Sequence, residues 1–158
     1  MSQSTRMVIG WREWVGLPEL GIALIKAKVD TGARTSSLHA SDIICFERDG
    51  ESWVRFCVQP HRTGRKLNVE CEARVADFRE VSDSGGHREK RFVVVSRLQI
   101  GAVTFPIEIT LHNRETMSHR MLIGRSAMRH LIIDPAQAFL LGKPTRKAVR
   151  KKTRKRRK

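Results

Sequence analysis

No run in this sequence approaches the ~20 apolar residues that a membrane span needs. The first ten residues, Met1–Gly10, also lack the apolar stretch of a signal peptide. These absences predict a soluble chain that stays in the cytoplasm. Cysteine is sparse: Cys45, Cys57 and Cys71 contain no Cys-x-x-Cys pair, and an odd count argues against a disulfide framework. Cys57 and Cys71 fall on the apolar phase of strand-like runs and read as reduced core thiols. The sequence has no His-Glu-x-x-His, and His39, His61, His87, His112, His119 and His130 are scattered without the spacing of zinc ligands. A phosphate-cradling Gly-x-x-x-x-Gly-Lys-Ser/Thr loop is missing too. No metal and no nucleotide cofactor are therefore expected.

Acidic residues are absent from one end of the chain. Of 158 residues, 31 are Lys or Arg and 16 are Asp or Glu, a formal charge of +15. Eleven of the cations fall between Lys143 and Lys158, leaving 20 basic and 16 acidic residues elsewhere, a net of +4. The body is only mildly basic. A segment so charged buries too little apolar surface to offset its ordering entropy, which predicts a disordered tail over residues 143–158 and a short disordered start over residues 1–6. The tail reads either as an electrostatic arm for RNA, the ribosome or another polyanion, or as a solvated end that raises solubility.

What the sequence does have is alternation. Leu67, Val69, Cys71, Ala73 and Val75 alternate with polar residues, as do Val103, Phe105, Ile107, Ile109 and Leu111. Turn chemistry at Arg48-Asp49-Gly50-Glu51, Ser84-Gly85-Gly86 and Ile100-Gly101-Ala102 predicts three successive hairpins. Helical signal is confined to Ser126–His130. The expectation is an all-β fold over residues 7–142, a closed barrel of six to ten strands with one short helix near its end.

Chemistry concentrates at Val29-Asp30-Thr31-Gly32-Ala33, which follows the strand-like Ile25–Val29 and is answered by Met121-Leu122-Ile123-Gly124-Arg125. A strand delivering one carboxylate into an Asp-Thr-Gly turn, with a second apolar strand ending in Gly-Arg, resembles the layout of half an aspartic protease site. By itself, Asp-Thr-Gly is also an ordinary turn in which Asp caps its own loop. Trp11, Trp14 and Trp53 read as core or dimer-surface packing rather than base-stacking platforms, because basic residues and aromatics are not densely interleaved.

Taken in order, Trp14–Pro18, Lys28–Ala40, Asp83–Arg88 and Met121–Met128 resemble a retropepsin-type aspartic protease domain. They resemble more closely the bacterial family labelled ATP-dependent zinc protease, whose members are often found near a ribosomal-protein-modifying glutamate ligase. The resemblance covers about residues 8–142. It implies a catalytic Asp30, with Thr31 tying two loops together and Gly32 letting N–H groups approach the carboxylate. Ala33, Arg34, Ser84, Gly85, Gly86 and His87 would border the substrate, the last four as a mobile flap tip. Leu122, Ile123, Gly124 and Arg125 would support the Asp loop.

Peptide hydrolysis needs a base for the water and an acid for the carbonyl, and two facing carboxylates sharing one proton supply both. This sequence holds a single Asp-Thr-Gly; Asp134-Pro135-Ala136 has neither hydroxyl nor glycine. The second carboxylate must then come from an identical subunit, making a homodimer the active unit. Retropepsins place an acid directly after Asp-Thr-Gly-Ala to pair with the Arg of Gly-Arg, whereas here Arg34 stands there. Arg125 would need Asp83 or Glu89 instead, or would form with Arg34 a basic rim favouring acidic peptides such as glutamate-rich tails. The other reading is a non-catalytic dimeric regulatory or RNA- and ribosome-binding module acting through the basic tail.

Overall fold

A computed structural model describes residues 6–61, 68–82, 85–113 and 119–144. The described residues are mostly strand: β1 (Met7–Gly10), β2 (Arg12–Leu17), β3 (Ile22–Val29), β4 (Ser36–His39), β5 (Ser41–Arg48), β6 (Glu51–Val58), β7 (Val69–Ser82), β8 (Arg88–Ile100), β9 (Val103–His112), β10 (Met121–Ile123) and β11 (Leu131–Asp134). Nine of them form one sheet in the order β2-β3-β10-β4-β9-β8-β7-β6-β5, while β1 and β11 pair in parallel beside it. No helix among the described residues is long and apolar enough to cross a membrane. The expected disorder at residues 1–5 and 145–158 lies outside the described residues. Lys143 and Pro144 are described, and Pro144 is buried.

Each predicted hairpin forms, for local reasons. Asp49 and Gly50 take φ 52° and 76°, and Arg48 pairs with Glu51 across them. Two consecutive positive φ values give the turn whose twist matches that of the flanking strands, and Asp-Gly tolerates them. The β8–β9 turn places Gly101 at φ 58°. The long β7–β8 hairpin reaches Ser82 opposite Arg88.

Two expectations are corrected. The segment foreseen as a short helix is a 3-10 helix over Arg125–His130, and the described residues contain no α-helix. Gly124 packs on the Thr35–Ser36 backbone on one side, and β11 begins at Leu131 on the other, leaving room for only six residues. The closed barrel is realised only in part. The sheet returns on itself where β2 meets β8 through Val15–Ile100 and Gly16–Gln99, while β7, β6 and β5 extend beyond that junction.

The core lies inside this fold-back. Leu17, Ile22, Ile25, Leu38, Phe56, Leu98, Ile100, Ile109, Met121 and Ile123 are all fully buried there. Each such side chain contributes roughly 1.5–3 kcal/mol on burial. Cys71 is buried as its phase predicted and Cys57 is half-buried; all three cysteines are free thiols. Glu13 is also fully buried. Its carboxylate accepts hydrogen bonds from the N–H groups of Gly10 (2.7 Å), Leu140 (2.9 Å) and Leu141 (3.3 Å).

Candidate active site

The Asp30 loop leaves β3 and is held by β10 at both ends. Asp30 N–H donates to Ile123 O at 2.8 Å, extending the parallel pairing of Ile123 with Val29. After the turn, Arg125 N–H donates to Ala33 O (2.8 Å) and Ser126 N–H to Arg34 O (2.9 Å). Between these anchors Gly32 N–H donates to Asp30 Oδ1 at 3.1 Å. A Cβ on Gly32 would stand 3.3 Å from that oxygen.

Gly124 permits the second strand to press against the loop's exit. A Cβ there would lie 2.5 Å from the Thr35 carbonyl carbon and 2.7 Å from its oxygen, while Gly124 N–H donates to Ser36 Oγ at 3.0 Å. Arg125 does not need a carboxylate in this arrangement. Its Nη1 donates to the Thr31 carbonyl at 2.8 Å, so the side chain bridges the top of the Asp-Thr-Gly turn. Glu89 is engaged elsewhere, and Asp83 lies outside the described residues.

Asp30 opens onto a cleft of about 460 Å³. Gly32, Ala33, Arg34, Thr35 and Leu122 form the side nearest the loop. The opposite wall comes from the β7–β8 hairpin through Arg79, Glu80, Val81, Ser82 and Arg91. Gly85, Gly86 and His87 at the hairpin end are exposed, with Gly86 at φ 84°, and are not among the cleft's lining residues. Ser84 lies outside the described residues. Thr31, Ile123 and Gly124 surround the loop without lining the cleft, and Arg125 is exposed.

Several lining residues escaped sequence reasoning. Arg91 is only 9% exposed, and its Nε donates to Glu89 Oε1 at 2.8 Å; His112 Nε2 lies 2.9 Å from the same oxygen. Arg79 sits opposite Arg91 across the hairpin and reaches Asp77 and Glu108, each at 2.9 Å. Arg91 shares a strand phase with buried Val93, the one sequence signal for an inward-facing arginine. His112 carries no such mark. It becomes relevant through the parallel register of β4 and β9, which sets His39 beside it.

Zinc is named in the label of the family that the sequence resembles. Among the described residues no three His, Cys, Asp or Glu side chains converge in a way that could hold a metal ion.

A mostly β chain whose Asp-Thr-Gly loop is clamped by a Gly-Arg strand and faced by a long hairpin is of the retropepsin-like class. Residues 8–144 match the RimB-like family, described as retropepsin-like aspartic endopeptidase RimB, and the chain belongs to that family. It is 46% identical over 138 residues to a protein of Shewanella pealeana named probable alpha-L-glutamate ligase, covering 87% of this chain and 30% of that one. A protein of the same name from Desulfotalea psychrophila is 47% identical over 153 residues, covering 96% of this chain and 33% of the other. The chain thus spans about a third of the length of these relatives. A Legionella pneumophila crystal structure of unknown function superposes with a TM-score of 0.73 at 29% identity, covering 87% of this chain and 99% of that one.

Proposed function

We propose that the protein is a homodimeric aspartic endopeptidase in which Asp30 and Asp30 of the partner subunit share one proton and activate a water between them. The observation that carries this reading is the Asp30 carboxylate, set on the wall of a peptide-sized cleft by a loop whose own Gly32 N–H donates to it. The ionised member of the pair takes the water's proton as the oxygen attacks the scissile carbonyl. The protonated member donates to the carbonyl oxygen, and a proton then passes to the leaving nitrogen. Such a pair titrates as a unit.

Dimerisation is supported by the small β1–β11 sheet. Val8 and Ile132 are cross-strand partners, 45% and 49% exposed, so the sheet carries an apolar pair on its surface that a second copy would cover. Thr31 would then meet its counterpart across the two-fold axis. The β7–β8 hairpin, with Ser84, Gly85, Gly86 and His87 at its tip, would close over the bound peptide.

Substrate preference follows from charge. Arg34, Arg79 and Arg91 line the cleft with Asp30 and Glu80; Arg79 is paired with Asp77 and Glu108 and Arg91 with Glu89, so among the described residues Arg34 is the lining arginine without a carboxylate partner. This favours an acidic peptide, and a glutamate-rich segment fits both that charge and the glutamate-ligase names of the relatives; the substrate proposed is a ribosome-associated protein in the cytoplasm.

Asp30→Asn tests the reading. The variant should sediment as a dimer like the wild type while cleavage of a glutamate-rich peptide falls by at least about 10³-fold, and the wild type should give a bell-shaped pH profile. Undiminished cleavage by Asp30→Asn would overturn the mechanism. A wild-type dimer that cleaves no peptide would leave the binding-module reading.

A further inference from the structure

The outer face of β2 and β3 gathers cations among aromatic rings. Arg12 and Trp14 on β2 stand in register with Lys28 and Lys26 on β3, on the side opposite buried Glu13 and Ala27. Trp14 stacks on Phe139 at 5.8 Å between centroids. The Lys26 ammonium lies 5.2 Å and the Lys143 ammonium 5.7 Å from the Trp14 ring centre, while the Arg12 guanidinium is 4.6 Å from that of Trp11. His119, 6.1 Å from Trp11, is pushed below the usual histidine range by burial first and then by Lys28, Arg12 and Lys26 together. Three positive charges are therefore felt at one point.

The far end of the sheet is built differently. On β5–β7, Arg48 and Arg55 also lie over rings, yet Arg48 meets Glu72 at 2.9 Å, Arg55 meets Glu72 at 3.3 Å, and Arg74 meets Glu51 at 3.0 Å. Among the described residues, Arg12, Lys26, Lys28 and Lys143 form no such pair with a carboxylate. The aromatic contacts hold Arg12, Lys26 and Lys143 in place without cancelling their charge.

We infer that this β2–β3 face binds the phosphodiester backbone of a single-stranded nucleic acid, a site separate from the Asp30 cleft. Residues two apart on a strand are about 6.7 Å apart, a spacing comparable to that of successive phosphates in an extended single strand. Lys143, on this face, is also the first of the eleven Lys and Arg in the sequence from Lys143 to Lys158. The 14 residues beyond Pro144 could reach at most about 48 Å, so a long polymer of regularly spaced charges suits the combined surface better than a short acidic segment. A bilayer is a poorer fit, since the Trp14 ring is covered by Phe139 and two ammonium groups rather than projecting for insertion.

The experiment is anisotropy of labelled oligouridylate, and of oligodeoxythymidylate of equal length, with the full chain across a salt series. In Lys26→Gln/Lys28→Gln the slope of log affinity against log salt should flatten by about 1.4, about 0.7 for each lost contact. Lys143→Gln should flatten it by about 0.7 and guards against a folding defect in the double variant. Arg74→Gln, on the paired face, should leave the slope unchanged. Unaltered slopes in both lysine variants would assign all binding to the residues beyond Pro144 and overturn the inference. So would an equal effect of Arg74→Gln, or anionic vesicles or polyglutamate competing as well as RNA at equal charge.

Discussion

Arg125 is tied to Thr31 not through charge but through a carbonyl: its Nη1 donates 2.8 Å to the Thr31 oxygen. The guanidinium therefore acts as a brace over the turn that presents Asp30.

If that brace positions the catalytic carboxylate, Arg125→Lys should lower peptide cleavage about 10- to 100-fold, because a point-charge ammonium cannot reproduce the fixed fork. Urea unfolding should move by less than about 1 kcal/mol, since the side chain is exposed. Comparing cleavage rates with unfolding midpoints separates the two effects. Equal cleavage by variant and wild type would remove the brace from the mechanism.

Gly124→Ala should cost about 3 kcal/mol, the upper part of the range for overpacking. Its methyl group would meet the Thr35 carbonyl, which is backbone and cannot swing aside. Denaturant titration reads the change, and a loss under about 1 kcal/mol would mean the loop yields easily.

His119 makes stability pH-dependent. Its folded pKa is lowered by burial and then by Lys28, Arg12 and Lys26, so below pH 6.5 the unfolded chain gains a proton that the folded chain resists. Stability is fully present above that value and declines as pH falls toward the depressed one. Thermal melts should show this decline shrinking in His119→Gln. Imidazole NMR should show the His119 titration moving up in Lys28→Gln.

The thiols should divide by environment. Cys71 is buried, its Sγ donates to Leu20 O at 3.3 Å, and desolvation first, then Cys57 and Glu70, push it to about 12. Iodoacetamide at pH 8 should modify exposed Cys45 and spare Cys71 until the protein unfolds. Mass spectrometry of the labelled peptides provides the measurement, with Cys71 labelling at the Cys45 rate as the contrary result.

The strands and hairpins were legible because side-chain phase and turn chemistry are local. Asp49-Gly50 sets its turn from its own two φ values, and Ile107, Ile109 and Leu111 form the buried face that alternation marks, although Val103, in the same phase, is 42% exposed. The insertion of β10 between β3 and β4 was less visible: three residues, Met121–Ile123, join segments some ninety positions away, and no local pattern encodes that register. The cleft was legible on the Asp30 side, where a motif names the residues. It was not legible at Arg91 and His112, whose positions follow from pairing between distant strands. Arg125 misled for a related reason, since backbone carbonyls carry no sequence signature.

Glu13 gathers Gly10 at one end of the chain and Leu140 and Leu141 at the other around a single carboxylate. The two portals of the body consequently stand side by side, the geometry of a cassette that can be spliced into a longer polypeptide without being pulled apart. A segment entering ahead of Gly10 and one leaving after Leu141 would meet the body in the same quarter.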